Sequence, residues 1–437
     1  MADAGTPAPQ PSLSSETGEK SPDLLPFLAA GLLFFIALVV ASKDDLNRDF
    51  FIYRIGSVLG LHGDWPYDVP KIRAIVAEQF PDAEPDEASF VNNNGYFPPP
   101  LAIVVYAPYA MLPWGAAKIA WASTMFLVAV AIARLPRAFR LPSEQPTALP
   151  LLWRLVGVTL VLNYLSVAII AVGQTPLLFV GCVIAGQWCF DRNRLWPGAL
   201  LWAVPFVKPH LALPLIPLAW YLGGWKRAGA VFVVVAALNL IGATLAGGSP
   251  LMIRDYLDYV PVAHKAVLYN RAELNPQITS WNRLLFSLGG PLVELTIVTT
   301  VAGYLVWGAL VVGRCMAAGV RPSPAWALAA AVVGGMLCCQ VLGYETLALV
   351  LTVPWIRDLF RAEPRTGLSG TSQLWFPRAV GTAAVVLLLL QQVSRETFEP
   401  LGIDFHRSLG VMLFAVLMLI GPLGPATVAV APNRVNS

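Results

Sequence analysis

Asp49 and Tyr53 stand one helical turn apart in the run Asp49-Phe50-Phe51-Ile52-Tyr53-Arg54, so in a helix they share a face. A carboxylate held there can accept the proton of a hydroxyl as that hydroxyl attacks an activated donor. The bland alternative is a surface ion pair with Arg48 or Lys43, and Asp44 and Asp45 compete for the same role. Lys208 lies between two apolar stretches, flanked by Pro205 and Pro209. A charge at such a place is costly unless an anionic partner such as a phosphate or carboxylate offsets it. The structural alternative is a lysine that ends a helix and snorkels to the surface. His210 rides on the same reasoning. Glu345, in Gly343-Tyr344-Glu345, opens an apolar stretch, where its carboxylate either meets a ligand or complements a helix N-terminus. Gln174, in Gly173-Gln174-Thr175-Pro176, caps a tight turn and can bind hydroxyl groups.

Elements that position these groups follow from composition. With 57% hydrophobic and 13% charged residues over 437 positions, and a mean hydropathy of +0.64, the chain reads as an all-α polytopic membrane protein. Candidate spans are 24–41, 115–133, 155–172, 176–190, 195–207, 209–223, 228–246, 290–313, 324–341, 345–356, 377–393 and 408–430, about twelve in all. The first reads as a retained signal anchor. The short run Leu101–Leu112, bounded by Pro98-Pro99-Pro100 and Pro113, reads as a re-entrant or tilted half-helix. Arg134, Arg137 and Arg140, Arg192 and Arg194, Lys226 and Arg227, Arg314 and Arg321, and Arg357, Arg361 and Arg365 then all fall on one side. That side is expected to be cytoplasmic, with both termini there, in the inner (plasma) membrane. The unusual polar clusters converge on the opposite, outer face.

Residues 1–23, rich in Pro, Ser, Thr, Glu and Gly, are expected to form a disordered cytoplasmic tail. Residues 24–360 form the main transmembrane region, and 361–437 a cytoplasmic loop and the last two spans. Two outer loops are long, 42–98 with an amphipathic helix from Arg48 to Leu61, and 247–289 with Tyr256, Tyr259, His264, Arg271 and Arg283. Arg283 is expected on an exposed part of the second. A net charge of +3, divided among loops, argues for no nucleic-acid partner. The five cysteines lie in or beside apolar stretches and read as packing residues, and the four dispersed histidines make a metal site improbable. Phosphate-cradling glycine loops, nucleophile elbows and zinc-protease motifs are absent from the sequence. A secondary transporter or lipid flippase also suits an apolar bundle with Lys and Glu, but predicts polar groups near the bilayer midplane and paired broken helices. A non-catalytic subunit of an envelope-assembly complex would keep the fold without needing Asp49.

The order of Asp49-Phe50-Phe51-Ile52-Tyr53-Arg54, Trp65-Pro66-Tyr67-Asp68, Tyr96-Phe97-Pro98-Pro99-Pro100-Leu101, Gly173-Gln174, Val207-Lys208-Pro209 and Tyr344-Glu345-Thr346-Leu347 resembles glycosyltransferase family 87, over roughly residues 25–360. Members are integral-membrane enzymes of the GT-C fold, similar to polyprenol-phosphate-mannose-dependent α-mannosyltransferases. The resemblance implies a GT-C-type bundle with extracytoplasmic amphipathic helices. It also implies inverting transfer of a hexose, mannose foremost, from a polyprenyl-phosphate donor to a lipid or glycan acceptor, with no cofactor and no metal. It makes Asp49 the catalytic base. Tyr53, Arg54, Asn94, Tyr96, Gln174, Lys208, His210, Arg283, Tyr344 and Glu345 are the donor- and substrate-binding candidates. Glu345 stands where many members carry Asp, a departure that bears on its role.

Overall fold

The computed structural model describes residues 24–42, 48–79, 98–133, 135, 139, 158, 161–162, 164–266, 278–289, 297–319, 321–339, 341–361 and 406–420. Helices dominate them. The N-terminal half runs α1 (Leu25–Ala41), α2 (Arg48–Leu61), α3 (Val69–Gln79), α4 (Leu101–Ala110) and α5 (Trp114–Ala133). Next come α6 (Tyr164–Val172), α7 (Pro176–Asp191), α8 (Leu195–Ala203) with a 3-10 turn at Val204–Val207, α9 (Pro209–Ala212) and α10 (Leu215–Gly247). The remainder is α11 (Met252–Ala266), strand β1 (Ile278–Thr279), α12 (Trp281–Ser287), α13 (Ile297–Ala318), α14 (Pro324–Cys338), strand β2 (Val341–Leu342), a 3-10 helix at Gly343–Thr352, α15 (Val353–Arg361) and α16 (His406–Ile420).

An all-helical polytopic membrane fold is what the apolar runs require, because a backbone in lipid must satisfy its own hydrogen bonds. Helix α1 lies along α5, α5 along α7, and α7 against α8, while α14 packs between α13 and α16. The shared core includes fully buried Trp202, Trp326 and Trp355. Trp202 donates to the Val183 carbonyl at 2.9 Å and Trp307 to Ala330 at 2.9 Å, whereas the indole N–H groups of Trp326 and Trp355 meet no acceptor among the described residues.

Among the described residues three helices are long and apolar enough to cross a bilayer, Trp114–Ala133, Leu215–Gly247 and Val298–Ala318. A fourth span results if Ser166–Val172 and Pro176–Asp191, bent by 115° at their junction, are counted together. Phe27–Ala41, Leu101–Ala110, Leu195–Val207, Pro324–Cys338 and Val411–Ile420 are apolar but shorter. The expected span 377–393 lies outside the described residues, as do residues 1–23, the basic residues Arg134, Arg137, Arg140 and Arg365, and the C-terminus beyond Ile420. Helix α10 contains non-helical backbone at Gly223 and Gly224, and so divides where the sequence separates 209–223 from 228–246.

Two expectations need correction. The segment 345–356 is not one apolar α-helix: a 3-10 helix over Gly343–Thr352 hands over to α15. Arg357 is not in a solvated basic loop either. It lies within α15, fully buried, and its Nε donates at 2.8 Å to neighbouring Asp358, itself buried. Packing of the amphipathic α15 against the 3-10 helix and α14 draws that pair inside, which a count of basic residues along the chain cannot register.

Helix α7 separates two groups of polar contacts by its own length, 16 residues or roughly 24 Å. At its C-terminal end, Gln187 donates to Asp191 at 2.7 Å and accepts from Arg227 at 3.4 Å. Arg321 donates to the Tyr221 carbonyl at 3.0 Å, so residues 187–191, 221–227 and 321–322 meet at one end of the bundle. At the other end the two long loops dock. The Tyr67 ring lies 5.4 Å from Tyr256 and 5.1 Å from Tyr259 of α11, and its hydroxyl donates to the Pro98 carbonyl at 2.7 Å. Strand β1 pairs antiparallel with β2, Ile278 opposite Leu342 and Thr279 opposite Val341.

Candidate active site

Three breaks in apolar helices build the site. The first is the corner between α6 and α7. Gly173 adopts φ +80°, a conformation costly for any residue with a Cβ, and its N–H and that of Gln174 both return to the Ile169 carbonyl, at 2.8 and 2.9 Å. That closes α6 and turns the Gln174 side chain toward α2. The second break is Lys208, at φ −121° and ψ 81°, between the 3-10 turn and α9, where Pro205 and Pro209 prevent a continuous helix. The third is the passage from β2 into the 3-10 helix that carries Glu345.

At the first break Asp49 and Tyr53, one turn apart on α2, both meet Gln174. The Gln174 Nε2 donates to Asp49 Oδ2, and the Tyr53 hydroxyl donates to Gln174 Oε1 at 3.2 Å. Asp49, Tyr53 and Gln174 are all buried. Phe50 on the same helix stacks on Trp121 at 4.7 Å and packs edge-on to Tyr109 at 5.4 Å, which fixes α2 against α4 and α5. Tyr106 adds a 5.1 Å ring contact to Tyr53.

The second and third breaks carry the second cluster. Lys208 Nζ sits 2.5 Å from Glu345 Oε1, and His210 Nε2 is 3.5 Å from the same oxygen. Tyr304 of α13 donates to the His210 carbonyl, and Cys339 Sγ lies 3.3 Å from that carbonyl, so α9 is held from beneath. The gap between the first two breaks is a narrow cleft, about 10 Å³ and so room for roughly one water molecule, and is lined by Thr175, Pro176, Phe179, Val207, Lys208 and Leu211 among others. Thr175 immediately follows Gln174, so one corner borders both the Asp49 cluster and the cleft that Lys208 shares.

The structure brings Asp49, Tyr53, Gln174, Lys208, His210 and Glu345 into this region. Arg54 is placed differently. Its Nε donates to the Tyr109 carbonyl at 3.2 Å and an Nη to Leu112 at 2.5 Å, where it caps the C-terminal end of α4. Arg283 is not exposed, in contrast to the sequence expectation: in α12 it is 4% accessible, beside Phe286 at 5.6 Å and under an N-cap formed by Ser280. The β1–β2 pairing pulls that segment of the second loop into the bundle. Asn94, Tyr96, Asp44, Asp45 and Arg271 lie outside the described residues, and of Tyr344 only the backbone, in the 3-10 helix, is described.

Two buried polar residues near these clusters escape a reading by motif. Thr175 is the N-cap of α7, yet its hydroxyl caps nothing and makes no hydrogen bond among the described residues. Lys118, on the first turns of α5, is buried with its ammonium 5.4 Å from the Trp114 ring. The Thr-Pro step marks a helix start and could have drawn attention to Thr175. Lys118 had no such signal, since burial on a helix face is not visible in a single apolar run.

A bundle of apolar helices carrying a carboxylate cluster and a cation-lined cleft at one end defines a membrane protein with an enzyme-like site. Its class is decided by comparison. The family model of glycosyltransferase family 87 matches residues 96–343, more than half of the chain, and the protein belongs to that family. It is therefore a membrane glycosyltransferase, using a sugar donor and an acceptor. Gln174, Lys208, His210 and Arg283 lie inside the matched stretch, whereas Asp49, Tyr53 and Arg54 precede it and Glu345 falls just beyond. No curated protein and no solved structure matches the chain.

Proposed function

We propose that the protein transfers a hexose, mannose foremost, from a polyprenyl-phosphate donor to a lipid or glycan acceptor at the extracytoplasmic face of the inner (plasma) membrane, with inversion, on a GT-C-type scaffold. The observation that carries this reading is the corner Gly173–Pro176, which joins the Asp49 cluster on one side to the Lys208 cleft on the other. Acceptor and leaving group need opposite chemistry a few ångströms apart, a proton acceptor and an anion holder, and this corner borders both. The opposite, basic end of the bundle is the cytoplasmic one by the distribution of Arg and Lys.

In this reading Asp49 takes the proton of the acceptor hydroxyl as its oxygen attacks the anomeric carbon. The bond from that carbon to the phosphate oxygen breaks, and polyprenyl phosphate leaves with the electron pair. Attack from the face opposite the phosphate turns a β-linked donor into an α-linked product. Lys208 and the N-terminus of α7 hold the phosphate charge that develops, a preorganised electrostatic role that needs no metal or cofactor. The lipid tail stays in the bilayer, which suits a cleft opening between helices. Glu345 keeps the Lys208 ammonium in place and yields it in part when phosphate arrives.

Lipids of a deletion strain are expected to lack one hexose found in the parent by mass spectrometry, restored by the intact gene but not by one encoding Asp49→Asn. In purified protein with synthetic polyprenyl-phosphate mannose, Asp49→Asn is expected to lower turnover by about 10²- to 10⁴-fold while leaving donor binding intact, the usual share of general-base assistance. Near-normal turnover of that variant at saturating substrate would reject the base, and unchanged lipids in the deletion strain would reject the transfer itself.

A further inference from the structure

An amide side chain has two unlike ends, a donor N–H₂ and an acceptor oxygen, and only its partners decide which points where. Around Gln174 those partners are unambiguous. A carboxylate such as Asp49 accepts only, so it calls for Nε2. That leaves Oε1 for Tyr53, whose phenol can donate or accept and here donates. Turned the other way, the amide would set its oxygen against the carboxylate, two acceptors with no proton between them.

We propose that Gln174 is a positioning residue that acts on the acceptor hydroxyl through Asp49, with Tyr53 holding the far end of the amide in place. Both ends of the relay are tethered. The Tyr53 ring is held 5.1 Å from Tyr106, and the Tyr53 carbonyl accepts from the Ser57 hydroxyl at 3.0 Å, one turn on along α2. The Gln174 backbone is pinned by its bond to Ile169 behind the left-handed Gly173. Asp49 is 7%, Tyr53 9% and Gln174 5% accessible, so little water competes for the carboxylate and each bond counts for more than on a surface. Because Thr175 and Pro176 of the same corner line the cleft beside Lys208, movement of the corner would shift the base and the donor cleft together. Residues 173–176 thus register one against the other.

The inference rests on Asp49 being the base, as proposed above, and its test separates the two. In Gln174→Met, which keeps length but not polarity, turnover at neutral pH is expected to fall roughly tenfold to a hundredfold, the range for losing a hydrogen bond to a charged group. Donor and acceptor KM stay within about twofold of wild type. The acid limb of the kcat profile moves to higher pH by about one unit, because the lost bond favoured the ionised carboxylate. Tyr53→Phe, which removes a single hydroxyl and serves if Gln174→Met does not fold, moves the limb the same way by less. Combined with Gln174→Met it adds nothing further, since both act through one relay. Gln174→Glu, bringing a second carboxylate against Asp49, moves the limb furthest. A rise in acceptor KM with an unmoved limb would show that Gln174 binds substrate, and an unaltered profile would show that it does neither. Either outcome overturns the proposal. Should Asp49→Asn retain turnover, the base assignment falls instead. The carboxyl infrared band that disappears in Asp49→Asn is then titrated in wild type and Gln174→Met, and coincident midpoints would overturn the relay whatever the base proves to be.

Discussion

Lys208 and Glu345 illustrate how a single pair can carry two roles that must be told apart. Both are largely withdrawn from water, at 12% and 4% side-chain accessibility, and lie 2.5 Å apart. Removing Lys208 takes from the buried Glu345 carboxylate its nearest cation and leaves His210 at 3.5 Å, a loss of up to about 3–5 kcal/mol in a buried pair, whereas removing both costs much less. Lys208→Gln is therefore expected to lower thermal stability in detergent and to raise the donor KM, and Lys208→Gln with Glu345→Gln to recover stability while the donor KM stays high. If the double variant also recovers donor use, Lys208 serves structure alone. Lys208→Arg is expected to rescue only in part, since a planar fork does not replace a compact ammonium. Arg283 is not the exposed control that a loop position suggested. Its burial means that Arg283→Gln disturbs the packing of α12 against α16 as well as any charge it contributes.

At the scale of elements, the short α4 is held by an unusually close approach of backbone to backbone. A Cβ at Gly242 of α10 would meet the Pro100 carbonyl oxygen at 1.9 Å, while Asn239 one turn earlier accepts from the Leu101 N–H at 3.3 Å. Gly242→Ala is expected to destabilise by at least about 1–3 kcal/mol, as overpacking does when the neighbour is backbone and cannot rotate away. Gly229→Ala on the same helix, where nothing lies within 4 Å, is expected to be neutral or to add up to about 1 kcal/mol through helix propensity. Unfolding midpoints of the two variants measure the contrast. The docking of the two long loops has its own pH signature. Burial pushes Tyr259 up to about 12, from an ordinary 10.0, and pushes Tyr256 up as well. A raised phenol favours the packed state in full below pH 10 and loses that advantage as pH climbs toward 12. Limited proteolysis of the loop joining α10 and α11 should accelerate across that window, and not between pH 6 and about 9, where both states keep the phenolic proton.

For the whole molecule, the consequential fact is polarity of the bundle. The interlocked long loops and the site lie at one end of α7, and the basic turns at the other. A cysteine introduced at exposed His62, at the end of α2, is expected to react with a membrane-impermeant maleimide in intact cells. One at exposed Asn193 should react only after permeabilisation. Labelling of both from outside would place the basic turns and the Asp49 cluster on the same side, and the extracytoplasmic site would fall. Of the native cysteines Cys182, Cys189, Cys338 and Cys339 are buried, and Cys315, half-buried, is replaced by Ala for the measurement.

Membrane class, helical architecture and the family were legible in the sequence because each depends on order along the chain: apolar runs of given length, proline and glycine at their ends, and short motifs in a recognisable succession. The facing of Asp49 and Tyr53 was legible too, since helical period alone puts positions four apart together. What the sequence left open were partners distant along the chain. That Gln174 reaches Asp49 across 125 positions, that Arg54 is spent on the carbonyls ending α4, and that β1 draws Arg283 inside are set by how helices dock. Burial of the Arg357–Asp358 pair has the same origin. Hydropathy ranks a residue by its own transfer free energy, and says nothing about which neighbour will satisfy it once water is gone. Only the tertiary packing makes that choice, because an unsatisfied polar group costs far more inside the bundle than at its surface.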